Sequence, residues 1–216
     1  MRSGRRPLCS APGCPVNCNN CNICAKKDKV HLVFSAKFFY NLSMIAVKIL
    51  DIKNFTAGFL TGTWLDSYEL AEGSVTTFCT MTIDGTRQAE FYGADDTEET
   101  EEEGQEEQPA QNLVAWKDVR PYCFDFIKGK RLPLAFKFVL FFPHGQIPSF
   151  LDHYKIQLDP ATVRGLCINL RYDAVGLVLT TGTSISTFTM DKTLDHTWDA
   201  YVRAWLHFHK VAFEEM

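Results

Sequence analysis

The chain has 216 residues, 46% of them hydrophobic and 22% charged, enough to bury a core and too apolar for a disordered or collagen-like chain. Its net charge of −4 gives no whole-chain field for holding nucleic acid or an anionic membrane surface. The charge is unevenly spread. Residues 1–43 carry seven Lys/Arg against one acid, residues 44–216 carry fifteen against twenty-five, and nine of those acids fall between Asp95 and Glu107.

The basic start MRSGRR runs into Cys, Pro and Asn, without the apolar stretch and small-residue cleavage site of a secretory signal. The charge-free runs 138–151 and 174–190 are broken by Pro143, His144 and Gly145 or are rich in Thr, short of a clean membrane span. The expectation is a soluble cytoplasmic protein. Five of the eight cysteines lie between Cys9 and Cys24, with Cys14, Cys18, Cys21 and Cys24 at short spacing and His31 beyond them. Soft ligands at that spacing are within reach of one zinc ion or an iron–sulfur cluster. Both patterns are incomplete: Asp28 stands where the iron–sulfur run needs its fourth cysteine, and the second pair of a zinc ribbon is missing. Residues 1–43 therefore read as a cysteine-rich head that is disordered or foreign to the folded protein, with Met44 as a start and no metal. Cys79, Cys123 and Cys167 sit in apolar contexts and read as small buried hydrophobes.

From Met44 on, Ile45, Val47 and Ile49 alternate with Lys48, predicting a strand, and Asp51 is placed to cap a helix over 52–60. A short strand over 68–70 is followed by a long one over 75–83, in which Val75, Thr77, Cys79, Met81 and Ile83 share a face. Asp84-Gly85 signals a hairpin and a returning strand over 87–92. The acidic stretch 93–111 repels itself and has little to bury, predicting a disordered insertion. WKDVRPYCFDFIKG predicts a helix from Trp116 with Asp118 near its cap, Pro121 in its first turn, and Val119, Phe124 and Ile127 on the core side. A strand over 134–142 follows, apolar on both faces and therefore expected between two layers. After a helix over 147–154, strands over 166–172, 177–181 and 183–190 form a meander. A last helix capped by Thr193 repeats Leu194, Trp198, Tyr201 or Val202, Trp205 and Phe208 at core spacing.

The predicted class is α+β: a single domain over 44–216, built as a duplicated strand-helix-three-strand-helix unit with mostly antiparallel sheets packed against helices. The strings VTTFCTMTIDG, WKDVRPYCFDFIKGKRLPLAFKF, GLCINLRY and TTGTSISTFTMDKTLDHTWD resemble an uncharacterised bacterial family, a domain of unknown function from anaerobic Gram-positive species. That resemblance covers residues 44 to about 206 and implies no activity or site residues. In architecture alone, the doubled unit is similar to one domain of a DNA sliding clamp, an analogy of fold.

Phosphate-binding, dinucleotide, serine-hydrolase and zincin motifs are absent, so no catalytic residue or cofactor is assigned. Asp118 with His153, or Cys123 with His144, would make acid–base pairs only if the fold brought them together. His196, His207 and His209 read as solvated residues near the last helix. The basic concentration outside the head is Lys128, Lys130, Arg131 and Lys137, with Lys117 and Arg120 nearby. These four are the candidate binding residues, although a helix C-terminus also favours Lys128. The functional expectation is a cytoplasmic, non-catalytic binding or assembly module. Its alternatives are a small-molecule enzyme without a recognised motif and a clamp-like, nucleic-acid-associated protein. A protein partner is favoured over nucleic acid, a membrane is not expected, and self-association is open. Metal analysis of the full chain beside a chain starting at Met44 should return equal, near-zero content; a metal lost with residues 1–43 would restore the cysteine knuckle.

Overall fold

Alternation and capping set the first elements of the computed structural model, which describes residues 44–92, 112–187 and 189–216. The cysteine cluster and the insertion 93–111 lie outside the described residues. Strand β1 (Ala46–Ile49) buries Val47 and Ile49. The Asp51 carboxylate then accepts the Asn54 backbone N–H at 3.1 Å and starts α1 (Ile52–Leu60), satisfying one of the orphan donors at a helix N-terminus.

The run 75–83 differs from its predicted single strand. The chain reverses over residues 77–79, so that β2 (Glu69–Thr76) pairs antiparallel with β3 (Thr80–Asp84), Val75 opposite Met81 and Gly73 opposite Ile83. Residues opposite each other in a hairpin point to the same side. A three-residue turn keeps odd numbers facing the same way on both arms, and the alternation reads straight through the reversal.

The predicted turn at Asp84-Gly85 is instead where the edge of the sheet continues. The Gly85 N–H bonds to the Ala71 carbonyl at 3.0 Å, and a Cβ at Gly85 would lie 1.7 Å from the Leu70 oxygen. Only glycine permits that approach. The Gly85 carbonyl then accepts the Val114 N–H at 2.9 Å, which leads to β4 (Val114–Ala115), the two-residue partner of the start of β2. Residues 89–92 form a short helix, α2 (Ala89–Tyr92), where a returning strand was predicted.

Helix α3 (Trp116–Ile127) begins at Trp116 without a side-chain cap, so Asp118 lies in its first turn and Pro121 in its interior. Its deepest residues are Trp116 and Cys123, flanked by the half-buried Val119, Phe124 and Ile127. Then come β5 (Ala135–Phe141), α4 (Ile147–His153), β6 (Val163–Asp173) and β7 (Gly176–Ile185). Gly176, at φ 134, makes the β6–β7 turn in a conformation that L side chains resist. Residues 177–185 are one strand, so the meander has two long arms. Helix α5 (Thr193–Phe208) and β8 (Phe213–Glu215) end the chain.

All pairings are antiparallel, in the order β3-β2-β5-β6-β7-β1-β8 with β4 on β2. The protein is α+β, as its sequence indicates, with one sheet. The order strand-helix-hairpin-helix occurs twice, yet pairing differs between the copies. β5 lies against β6, whereas β5, β6 and β7 separate β1 from β2.

Helices α1, α3, α4 and α5 meet one face of this sheet. Phe59 and Trp116 pack on Phe138, and Phe150 and Trp198 on Phe142. Each fully buried aromatic contributes roughly 1.5–3 kcal/mol. On the other side of β5, Lys137 is exposed and Ala135 and Val139 half-buried, so the predicted burial between two layers fails over most of that strand. Phe141 is covered there because it lies over Gly165, where a Cβ would come within 2.6 Å of its ring.

Helix α5 departs from its predicted stripe. Its buried positions are Leu194, Asp195, Trp198, Asp199, Val202 and Leu206, while Phe208 is exposed. The two aspartates stand one turn apart facing β7, where the Thr181 hydroxyl donates to Asp199 at 2.5 Å and the Thr183 hydroxyl donates to Asp195. Buried carboxylates persist only when hydrogen-bonded in this way. Thr181 also accepts the Ile45 N–H at 3.1 Å, tying the start of the domain to the same cluster.

Burial raises the Asp195 carboxyl above the ordinary range, and Asp199 adds to this; the Thr183 hydroxyl, Lys192 and His196 oppose it. A carboxyl raised in the folded state favours folding below its unfolded value of about 4 and loses that contribution as pH rises through the folded value. Asp195→Asn keeps the acceptor for Thr183 and removes the titration. Its melting temperature relative to the parent should therefore climb as pH rises above about 4, the unfolded carboxyl value; a pH-independent difference in thermal melts would refute this assignment.

Candidate binding groove

The end of α3 and the tip of the β2–β3 hairpin meet at one end of the sheet. The Lys128 N–H caps α3 through the Phe124 carbonyl at 2.7 Å, and the chain then crosses to β5, where the Leu134 N–H bonds to the Thr76 carbonyl at 2.9 Å. That bond fixes the loop beside the hairpin. Across the gap, the Phe78 ring lies 5.8 Å from the Phe126 ring, tilted by 39°.

Between the two segments is an open groove of about 470 Å³, lined by the half-buried Phe126 and Ile127 and by Phe78, Leu132 and Leu134. Phe78 is 90% exposed, Leu132 82% and Leu134 69%. Isolated surface apolar residues are ordinary, but a contiguous group around a depression marks an interaction site. Lys128, Lys130 and Arg131 also line the groove. Lys128 is held by Asp125 at 2.7 Å, an exposed pair of little net strength. Among the described residues, Lys130 and Arg131 enter no ion pair.

The fourth predicted residue lies elsewhere. Lys137 is on the opposite side of β5 from Phe136 and Phe138, paired with Glu72 at 3.1 Å. Arg120, also noted in the sequence, pairs with Asp66 at 2.9 Å. Thus three of the four candidates converge, and the alternation of a strand separates the fourth. Phe78 and Leu132 were missing from the sequence reading because neither has meaning until the hairpin tip is set beside α3. The available signal was the apolar Leu132-Pro133-Leu134 directly after a basic run.

The residues weighed for catalysis are differently placed. Cys123 and Cys167 are buried, and burial pushes each thiol up to about 12, leaving almost no thiolate near neutral pH. Cys79 corrects the expectation of burial: it is exposed in the hairpin turn. Asp118 and His153 are exposed on different helices, with no ion pair between them. His209, expected to be solvated, stacks on Trp64 at 4.3 Å and lies 4.8 Å from Trp205; burial lowers its pKa. Among the described residues, no cluster of three or more His, Cys, Asp or Glu could hold a metal, and no helix is long and apolar enough to cross a membrane.

The fold and this groove define an α+β protein, one antiparallel sheet with helices on a shared face and an open apolar–cationic cleft at its end. The chain belongs to a family of unknown function, DUF5721, which it matches over residues 58–214. No curated protein and no solved structure matches it. In the native protein, an alkylating reagent should modify Cys79 quickly, and Cys123 and Cys167 only after denaturation, as read by mass spectrometry of the three peptides. Equal native rates would contradict the burial described.

Proposed function

We propose that the protein is a non-catalytic binding module of the cytoplasm that receives an anionic partner in the groove between the β2–β3 tip and the 128–134 loop. The carrying observation is the conjunction of Phe78, Leu132 and Leu134, all exposed, with Lys130 and Arg131, neither in an ion pair among the described residues. Burying one such apolar side chain on association is worth about 1.5–3 kcal/mol, and the adjacent cations supply orientation and electrostatic attraction. The open cleft holds no paired acid and base, the feature that would favour an enzyme. The exposed Cys79 thiol and the buried Cys123 and Cys167 thiols are unbridged, which suits a reducing compartment.

The test measures binding of three anionic probes, a glutamate-rich peptide, a fifteen-residue oligothymidine and phosphatidylserine vesicles, to the parent and to a Lys130→Glu/Arg131→Glu double variant. At least one probe should bind the parent, weaken as salt is raised, and lose tenfold or more on charge reversal. Binding indifferent to both, or absent for all three probes, would refute this function.

A further inference from the structure

The groove combines an apolar lining with cations, and that combination bears on the chemical class of the partner. The inference below rests on the reading of the groove as a binding site and specifies what fills it. We infer that the partner is a short acidic protein segment that inserts one large apolar side chain and places the following carboxylates on Lys130 and Arg131.

Concavity favours an inserted side chain. The open depression of about 470 Å³ is lined by Phe78, Phe126, Ile127 and Leu132, a volume within the range of about 300–1,000 Å³ usual for ligand sites. An apolar lining gains from an apolar side chain and gains little from phosphate or sugar, since nucleic-acid interfaces are more polar and more positively charged than protein–protein ones. A single-stranded polynucleotide also asks for successive aromatic platforms along a basic track. Among the described residues that line the groove, Phe78 is the one highly exposed ring, and the cations are Lys128, Lys130 and Arg131.

Charge beyond the loop does not extend the attraction. Outside residues 95–107, residues 44–216 hold fifteen Lys/Arg and sixteen acids, so an extended polyanion or an anionic bilayer finds no net positive charge once it leaves the groove. At physiological ionic strength, screening sets in over about 8 Å. A short segment confined to the groove experiences mainly its cations.

The groove is partly preorganised. The Leu134 N–H bond to Thr76 fixes the backbone of the loop beside the hairpin, and the Phe78 ring rests near Phe126, which reduces the entropy lost on association. Buried aromatic anchors with an adjacent arginine are the usual energetic centre of a protein interface, and the Arg131 guanidinium can engage a carboxylate through two parallel hydrogen bonds.

The experiment uses the full chain and an array of ten-residue peptides, each with one Leu, Phe or Trp followed by four glutamates, read by fluorescence anisotropy. Control peptides replace the anchor by Ala or the glutamates by Gln, and oligothymidine and phosphatidylserine vesicles are measured alongside. At least one anchored acidic peptide should bind. Each control replacement, and each of Phe78→Ser and Arg131→Glu in the protein, should weaken that binding tenfold or more. Both substituted residues are exposed, so circular dichroism melts should stay at the parent value. Tighter binding of oligothymidine or vesicles, lost on the same substitutions, would overturn the peptide inference and leave the groove as the binding site. No binding by any probe, or binding indifferent to Phe78→Ser and Arg131→Glu, would overturn both.

Discussion

Trp116, fully buried in the first turn of α3, stacks on Phe59 at 4.6 Å and donates its indole N–H to the Phe59 carbonyl at 3.3 Å. Its ring also meets Phe138 on β5 edge-on at 5.1 Å. A large aromatic with a single donor has few buried positions that satisfy both its area and its N–H. That restriction holds α1, α3 and the sheet in one arrangement. The direction of α3, and hence the place where Lys128 leaves it, follows from this contact. The groove lies about three helical turns from its anchor, at the other end of α3.

A second tryptophan holds the other half of the domain in the same manner. Trp198 is fully buried on α5, donates to the Cys167 carbonyl at 3.0 Å and packs on Phe142 and Phe150. Beside it, Asp195 and Asp199 accept hydrogen bonds from threonine hydroxyls on β7. Directional hydrogen bonds at buried positions specify register more sharply than apolar contact does, because a misplaced carboxylate loses its partner and keeps its desolvation cost. Aromatic mass and polar registration thus serve the same end, the fixing of helices on one side of a single sheet.

The helical elements were the more readable part of the sequence. Asp51 and the run 52–60 were visible through a cap, and the run 116–127 and the final amphipathic helix through the 3.6-residue period alone, since the predicted caps Asp118 and Thr193 lie inside their helices. Misreadings arose where two remote segments decide. The burial of Asp195 and Asp199 was not foreseen, because the sequence shows a charge and not the threonines that receive it. Phe208 was placed in the core by its spacing although, as the last residue of α5, it is exposed. Of the candidate site, Lys128, Lys130 and Arg131 were legible as a cluster, whereas Lys137 was joined to them by proximity in sequence and parted from them by the pleat.

By itself, the sequence determined that the chain is α+β, where most of its helices and strands fall, and that its cations outside the head concentrate after residue 127. These are local properties of composition, period and cap. Only the tertiary structure decided the order of strands in the sheet, the reversal at residues 77–79 and the meeting of Phe78 with Phe126. The physical reason is that hairpin pairing preserves the face of a side chain, so alternation carries no record of where a strand turns back. A groove built from segments about fifty residues apart exists only once burial of Trp116 has brought them together.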